Sequence, residues 1–319
     1  MESVVVAGDL AAAPAPATPM WFVALVAVGL HAAVVWAGTF LAWLRRAFLR
    51  PGKGLCRRYG EWAVVTGATD GIGRAVALEL ARRGLNLVLV GPNPREAVGR
   101  LQRGDDDVGG GELSRGVARV AAAVEGLDVG LLVNNAGATY PCAAYFHEVP
   151  DAVWEAVLRV NVVAATRIAR ALVPAMAAKG RGAVVNVGSG SSVVVPAFPL
   201  YAVYAATKAY VDQLSRSLHV EYKHHGVDVQ CQIPLYVATK MSPVQGNSPF
   251  IPSPEEYAKA AVRCIGYEPR CVPYWRHSIQ WFFASLLPDS VLNLWRLQVG
   301  IRKRNQMKVL LGESDHGFS

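Results

Sequence analysis

Cysteine pairs and charged residues are both scarce in this chain of 319 residues. The five cysteines are scattered and none forms a C-x-x-C pair, so we expect neither a disulfide framework nor a bound metal such as zinc. Thiols of this kind are typical of a reducing compartment. Charged residues make up 18% of the chain against 52% hydrophobic residues, which excludes a disordered protein and favours one large domain or two small ones.

One segment lacks charge altogether, because no Asp, Glu, Lys or Arg occurs between Met20 and Leu44. As a helix, this segment is about 37 Å long, which is enough to cross a hydrocarbon core of about 30 Å with some tilt. Trp21 and Trp43 lie near its ends, where indole rings favour the membrane interface. The pattern predicts a single membrane anchor. A cleaved signal peptide is the alternative, and the length of the apolar run disfavours it.

The net charge of +8 is concentrated in two basic clusters that flank apolar segments, a placement that favours anionic lipid over nucleic acid as a partner. Because the first cluster directly follows the charge-free segment, the positive-inside rule predicts that the long C-terminal part lies in the cytosol. The first cluster comprises Arg45, Arg46, Arg50, Lys53, Arg57 and Arg58, and the second comprises Arg296, Arg302, Lys303, Arg304 and Lys308.

After residue 60, short apolar runs alternate with helical stretches, which predicts a parallel α/β sheet. The predicted strands are Glu61–Thr66, Leu85–Val90, Val129–Val133, Ala183–Val187, Val227–Ile233 and a short last strand at Val272–Trp275. The predicted helices are Gly71–Arg83, Ala152–Ala178, Tyr201–His224 and Pro254–Ile265.

The alternation is broken between Asn93 and Glu125, where a strand and a helix are expected. The only apolar run of four or more residues there is Val120–Val124, which we interpret as the helix, so no residues remain for the strand. Three Asp and three Gly within Asp105–Gly111 predict a loop. We therefore expect the third strand of the sheet to be missing or degenerate.

A glycine-rich turn, Thr66-Gly67-Ala-Thr-Asp-Gly71-Ile-Gly73, follows the first strand and opens the first helix of the sheet. Its glycines permit a sharp turn and the close approach of a pyrophosphate, which the N-terminus of the helix then stabilises. The G-x-x-x-G-x-G spacing differs from the G-x-G-x-x-G fingerprint and indicates a particular subclass of dinucleotide-binding fold.

Tyr204 and Lys208 are four residues apart on a predicted helix and therefore share one face. A neighbouring cation favours the phenolate, so we expect the pKa of the tyrosine to move down from its usual value near 10. Polar residues at other strand ends join this pair: Asn134-Asn135-Ala136-Gly137, and Ser189 and Ser191. Asn161 lies in a predicted helix. Each feature by itself also fits a purely structural role.

Together, in this order and spacing, the motifs resemble the short-chain dehydrogenase/reductase family over roughly Trp62 to Trp275. The resemblance implies a Rossmann-type doubly wound sheet in which Tyr204 protonates a substrate carbonyl. It further implies that Lys208 lowers the pKa of the tyrosine and holds the nicotinamide ribose, that a serine hydrogen-bonds the carbonyl, and that Asn161 orients a water. The implied cofactor-binding residues are Gly67, Thr69, Asp70, Gly71, Ile72, Gly73, Asn135, Ala136, Gly137, Tyr204, Lys208, Val237 and Thr239.

Two serines compete for the catalytic position. Ser191 lies at the usual distance of 13 residues before the tyrosine, whereas Ser189 lies at the usual distance of three residues after a strand asparagine, Asn186. Because a strand fixes position more tightly than a loop, which can absorb extra residues, we prefer Ser189.

Four further segments are similar to the very-long-chain 3-oxoacyl-CoA reductases of the endoplasmic reticulum, in particular the plant members: Tyr145–Val149, Leu218–Lys223, Val227–Met241 and Gly266–Trp275. The similarity implies NADPH-dependent reduction of a long-chain 3-oxoacyl-CoA to the 3-hydroxyacyl-CoA during fatty acid elongation. The implied partners are the condensing enzyme, the dehydratase and the enoyl reductase of that cycle.

The adenine side departs from the family pattern. Relatives place an arginine for the 2′-phosphate of NADPH at the end of the second strand, where this chain has Gly91-Pro92-Asn93, and Arg95 or Arg74 are the available substitutes. Two alternatives therefore stay open: a catalytically weak or inactive paralogue that serves as a structural elongase subunit, and a steroid or retinoid carbonyl reductase.

We expect five regions: a short lumenal N-terminus (1–19), a transmembrane anchor (20–44), a basic linker (45–60), the dehydrogenase domain (61–275) and an amphipathic tail (276–319). The tail contains the apolar run Ile279–Leu287, which is too short to span a bilayer. It either lies at the membrane surface or packs on the sheet. The expected location is the endoplasmic reticulum membrane, with a single pass and a cytosolic catalytic domain.

Overall fold

The computed structural model describes residues 19–91, 110–242 and 248–311 and divides the chain into two compact units, Met1–Arg50 and Pro51–Ser319. In the first unit, helix α1 spans Met20–Leu44 and continues as a π-helical turn, Arg45–Leu49. An 18-residue window of the combined helix has a mean hydropathy of 2.0, so the helix is long and apolar enough to cross a membrane. Residues 1–18 of the predicted lumenal region lie outside the described residues.

The second unit contains a six-stranded parallel sheet in the order β2-β1-β3-β4-β5-β6. Strands β3 and β4 are buried along their whole length because helices cover both faces of the sheet. The predicted doubly wound fold is confirmed. The strands are β1 Trp62–Thr66, β2 Asn86–Val90, β3 Val129–Asn134, β4 Gly182–Val187, β5 Val227–Gln232 and β6 Arg270–Cys271.

Nine helices of the described residues belong to this unit, and three of them, α2, α3 and α8, bury Leu55, Leu80 and Val262 against one face of the sheet. Helices α4 and α6 bury Val120 and Met176 against the other. The helices are α2 Leu55–Tyr59, α3 Gly71–Arg82, α4 Gly110–Ala123, α5 Asp151–Leu158, α6 Ala165–Ala178, α7 Ala202–Tyr222, α8 Pro254–Arg263, α9 Trp275–Ser285 and α10 Asp289–Leu311.

The strand order predicts where a ligand would bind. From β1 the chain moves outward to β2 on one side and through β3 to β6 on the other, so the topological switch point lies between β1 and β3. Ligands of such sheets bind at the carboxyl ends of the strands beside that point. The glycine-rich turn, the Asn134–Gly137 segment and the serines all follow strands at this edge.

Two sequence predictions need correction. The last strand is Arg270–Cys271 and not Val272–Trp275, because Pro234 and Pro273 have no backbone N–H and end the β5–β6 ladder, while Trp275 already begins α9. The helix predicted as continuous over 152–178 contains a π-helical turn, Arg159–Ala164, between α5 and α6.

The third strand was predicted to be missing between residues 93 and 125. Residues 92–109, which include Arg95, lie outside the described part of the chain. The structure does describe the helix predicted around Val120–Val124, which is α4.

Candidate active site

The turn between β1 and α3 is shaped for close approach of a ligand backbone. Gly67 has a φ of +64°, in the left-handed region that favours glycine. A Cβ at Gly73 would lie only 2.1 Å from the Gly67 carbonyl oxygen and 2.2 Å from Nδ2 of Asn135, so a side chain at this position is excluded. The predicted glycines therefore let α3 begin directly against the turn, with its N-terminus at the switch point.

Asn135 and Thr66 lock the ends of β1 and β3 together. The Asn135 amide nitrogen donates to the carbonyls of Thr66 (3.1 Å) and Gly67 (3.2 Å). The Thr66 hydroxyl oxygen accepts from the backbone N–H groups of Asn135 and Ala136, both at 3.0 Å. These four hydrogen bonds hold the backbone beside the cofactor cleft in place.

A cavity of roughly 410 Å³ opens at the N-terminus of α3, lined on one side by Asp70, Gly71 and Arg74 and on the other by Thr239, Lys240 and Ser242, among others. Asp70 caps the helix by accepting from the Gly71 N–H at 2.8 Å, and it pairs with Lys240 at 3.0 Å. A helix N-terminus with nearby cations fits the pyrophosphate of a dinucleotide.

Three of the other predicted cofactor residues line the same region. Ile72 and Val237 pack together beside Tyr257, which joins the N-terminal turn of α3 to the loop after β5. Thr69 lies against the end of β2, because a Cβ at Gly91 would meet its methyl group at 2.7 Å. Small side chains therefore fill the position where relatives carry an arginine.

Tyr204 and Lys208 lie on α7 with the Lys208 ammonium 5.9 Å from the centre of the Tyr204 ring. Lys208 is buried, donates to the Val187 carbonyl at 3.0 Å, and has a pKa lowered to about 8 by burial. The pKa of Tyr204 is raised, not lowered as the sequence led us to expect, because burial of the phenol outweighs a favourable hydrogen bond from Ser189. In this state the phenol keeps its proton at neutral pH.

The structure distinguishes the two serines. Ser189 lies close enough to the Tyr204 phenol to lower its pKa, whereas Ser191 is buried and its hydroxyl has no hydrogen-bond partner among the described residues. The backbone N–H of Ser191 donates instead to Oγ of Ser189 at 3.1 Å, which orients that hydroxyl. The geometry favours Ser189 as the residue that shares a substrate oxygen with Tyr204.

Asn161 is buried in the π-helical turn and connects the strand end to the catalytic helix. Its Oδ1 accepts from the Ala138 N–H (2.8 Å), and its Nδ2 donates to the Ala138 carbonyl (3.0 Å) and to the Thr207 hydroxyl (2.9 Å). A Cβ at Gly137 would lie 3.5 Å from both Asn161 Oδ1 and Lys208 Nζ. Four predicted residues, Tyr204, Lys208, Ser189 and Asn161, thus surround one end of the cleft.

Three residues near Tyr204 were missed by the sequence interpretation. Tyr236 follows β5, Arg296 from α10 donates to its hydroxyl at 3.4 Å, and His277 from α9 contacts the backbone of Leu235 and Tyr236. The sequence signal was Arg296, the first residue of the second basic cluster, which was interpreted as facing lipid and which the structure buries. Leu200, just before α7, has a φ of +63°, and no sequence pattern indicates that conformation.

The comparisons with known proteins identify the family of the chain. The family model of the short chain dehydrogenases matches residues 61–248. The chain is 50% identical to a very-long-chain 3-oxoacyl-CoA reductase-like protein of Arabidopsis thaliana, over 83% of this chain and 89% of that protein. It is also 38% identical to an inactive hydroxysteroid dehydrogenase-like protein 1 of Homo sapiens, over 81% of this chain and 80% of that protein.

Solved structures share the fold. A 7β-hydroxysteroid dehydrogenase structure superposes with a TM-score of 0.64 at 25% identity, covering 76% of this chain and 98% of that one. A short-chain dehydrogenase from Sphingobium yanoikuyae in complex with NADPH superposes with a TM-score of 0.54 at 27% identity, covering 81% of this chain and 98% of that one.

Proposed function

The chain belongs to the short-chain dehydrogenase/reductase family, and from this premise we propose that it reduces very-long-chain 3-oxoacyl-CoA to 3-hydroxyacyl-CoA with NADPH at the endoplasmic reticulum membrane. The observation that carries the proposal is the convergence of Tyr204 and Ser189 beside a buried lysine, in a chain half identical to a reductase-like protein of that name.

In the proposed reaction the hydroxyls of Ser189 and Tyr204 bind the same ketone oxygen. Bound NADPH supplies the hydride to the carbonyl carbon. Tyr204 then gives its proton to the oxygen, a step that suits a phenol whose pKa is raised by burial and which is therefore protonated at neutral pH. Lys208 holds the nicotinamide ribose, and Asn161 orients a water that returns a proton to the site.

The residues that would hold the cofactor are the turn Gly67–Gly73 and the N-terminus of α3 for the pyrophosphate, and Val237 and Lys208 for the nicotinamide riboside. Arg74 and Lys240 line the same cavity and supply positive charge. Asp70 and Glu255 line the cavity as well, so a preference for NADPH rests on Arg74 and Lys240 binding the 2′-phosphate in place of the arginine that is absent at Gly91.

The membrane-related features fit a long acyl substrate. A long acyl chain gains about 0.8 kcal/mol per buried CH₂, so it stays in a bilayer while its thioester reaches a nearby site. Helix α1 supplies the anchor, and the basic residues after it favour a cytosolic catalytic unit. The condensing enzyme, dehydratase and enoyl reductase of elongation are the proposed partners.

The C-terminal helices add an apolar surface to the catalytic unit. Phe283, Leu286, Leu294 and Trp295 are each more than half exposed, while Leu292 on the same segment is buried. Exposed apolar side chains followed by the basic residues of α10 are typical of a segment that contacts lipid headgroups. The exposed side of these helices thus supports contact with the membrane surface, and the buried side supports packing on the catalytic unit.

A second candidate function is a catalytically inactive structural subunit. The observation in its favour is the 38% identity to an inactive hydroxysteroid dehydrogenase-like protein. The other alternative is a steroid or retinoid carbonyl reductase. Measuring the rate with each class of substrate distinguishes it from the proposed function.

The proposal is tested in sealed microsomes that carry the chain, with NADPH added outside. Because NADPH does not cross the membrane, oxidation driven by very-long-chain 3-oxoacyl-CoA requires a site that faces the cytosol. We expect Tyr204→Phe to reduce the rate by about 100- to 10,000-fold, the usual contribution of a general acid. Tyr210→Phe, on the exposed side of the same helix, is the matched control and keeps the rate. A wild-type rate no higher than that of Tyr204→Phe refutes the proposal and favours the inactive subunit.

A further inference from the structure

Tyr236 lies on the substrate side of the candidate site. The Gly190 N–H donates to the Pro234 carbonyl at 2.9 Å, so the loop after β5 runs beside the segment that carries Ser189. Val237 in this loop packs toward Ile72 and the cofactor turn, whereas the Tyr236 side chain contacts α10 on the opposite side. Tyr236 is half-buried and thus reachable by a bound molecule.

The described charged groups beside the Tyr236 oxygen are cations, which can only donate. Arg296 Nη1 donates to it at 3.4 Å, and the Lys303 ammonium lies 5.2 Å from the centre of its ring, where it helps to lower the pKa of the phenol. Neither guanidinium nor ammonium has an acceptor atom. The proton of the phenol is therefore left to be donated to a third group, and the described residues provide no acceptor for it.

Charge on these two neighbours makes Tyr236 a stronger donor than an ordinary tyrosine. Burial alone would raise the pKa of Tyr236, but Arg296 and Lys303 outweigh it and lower the pKa. Burial raises the pKa of Tyr204, and Tyr236 raises it further, which agrees with the loop after β5 running beside the segment that carries Ser189. A donor of this strength fits a carbonyl oxygen next to the one that Tyr204 protonates.

The surroundings fix the position of Tyr236. His277 accepts from the Leu235 N–H through Nδ1 (3.3 Å) and, in the tautomer this requires, donates from Nε2 to the Tyr236 carbonyl (3.1 Å). The Arg296 guanidinium stacks 3.9 Å from the centre of the Phe198 ring, and Arg296 is 6% exposed. Burial of a cation costs free energy unless the cation is paired or hydrogen-bonded, and Tyr236 is the hydrogen-bond partner here.

We propose that Tyr236 is a substrate-binding residue that donates a hydrogen bond to the thioester carbonyl of the 3-oxoacyl-CoA, with Arg296 and Lys303 as its positioning residues. The inference rests on the proposed function, because a 3-oxoacyl thioester has a second carbonyl separated from the ketone by one CH₂. A simple ketone has no such group. The pair of phenols therefore recognises the dicarbonyl unit, with Tyr204 on the ketone and Tyr236 on the thioester.

The test compares two ligands that differ only at this carbonyl. Binding of a long-chain 3-hydroxyacyl-CoA and of its thioether analogue, with CH₂ in place of the thioester carbonyl, is measured by tryptophan fluorescence on the full chain in detergent with NADP⁺ present. The wild type should prefer the thioester by about 3- to 10-fold, the range of one net hydrogen bond. Tyr236→Phe should remove this preference by weakening the thioester alone.

Tyr274→Phe is the matched control, since Tyr274 also contacts His277 but is not in hydrogen-bond contact with Arg296. It should keep the preference. The inference is overturned if the wild type shows no preference, if Tyr236→Phe retains it, or if both ligands weaken equally, as a structural role predicts. Because binding is measured without turnover, a wild type that fails to oxidise NADPH refutes the proposed function while this comparison remains readable.

Discussion

At Tyr204, burial keeps the phenol in its protonated form. The phenol is protonated at neutral pH because its pKa is raised, and a protonated tyrosine is an acid that serves reduction. Lys208, itself buried with a pKa of about 8, lies 5.9 Å from the ring centre and does not reverse that shift. We infer that binding of cofactor and substrate, which changes the surroundings of both groups, completes the tuning.

Replacement of each serine separates their roles. Ser189→Ala should lower kcat/KM for 3-oxoacyl-CoA by about 100- to 1,000-fold, because it removes a donor to the developing oxyanion. Ser191→Ala removes a buried hydroxyl that has no partner in the described structure, so kcat/KM should stay within about threefold of the wild type. Steady-state kinetics on the two variants decides the matter, and the reverse order of effects contradicts the assignment.

At the scale of elements, the two C-terminal helices invert the usual arrangement of charge. Arg296 of α10 is buried next to the site and Arg304 pairs with Glu148, while Leu294 and Trp295 face outward. Arg296 and Arg304 therefore lie on the inner side, whereas Arg302 and Lys303 are exposed like the outer apolar groups. This arrangement is consistent with helices that cover a site for an anionic, acyl-bearing molecule and contact lipid from outside.

The attachment of α9 to the loop after β5 should make stability depend on pH. Burial lowers the pKa of His277 from 6.5 to about 4, so between these values the unfolded chain binds a proton that the folded chain does not. Stability from this group is fully present above pH 6.5 and is lost as the pH falls toward 4, by up to about 3 kcal/mol.

Thermal melts of the full chain in detergent check this expectation. His277→Gln should melt lower than the wild type at neutral pH and lose less stability on acidification, because it has no proton to bind. His224→Gln, an exposed histidine, should follow the wild type. Parallel acid dependence in wild type and His277→Gln contradicts a buried neutral His277.

The same elements show which parts of the fold and the site can be predicted from the sequence. Local periodicity and spacing of side-chain types predict the strands, the glycine-rich turn and the shared face of Tyr204 and Lys208. The π-helical turn at Asn161 is a change of backbone hydrogen-bond register, which leaves no trace in the order of side-chain types. Tyr236, His277 and Arg296 come from three separate segments, so only their tertiary contact reveals a site.

At the scale of the whole molecule, the chain combines an apolar helix with a catalytic unit, and the two units have different tasks. The first contains a helix with no charged residue over 25 positions, which we propose spans the membrane. The second carries the chemistry. This division explains why a chain with only 18% charged residues folds around a polar, cofactor-binding cleft.

The central claim is that this site transfers hydride from NADPH to carbon 3 of a 3-oxoacyl-CoA. Its most direct test uses the purified full chain, long-chain 3-oxoacyl-CoA, and NADPH deuterated at the nicotinamide carbon that donates hydride, with the product examined by mass spectrometry. The account predicts a 3-hydroxyacyl-CoA that carries deuterium on carbon 3. Recovery of unreduced substrate, or of a product without deuterium there, contradicts it.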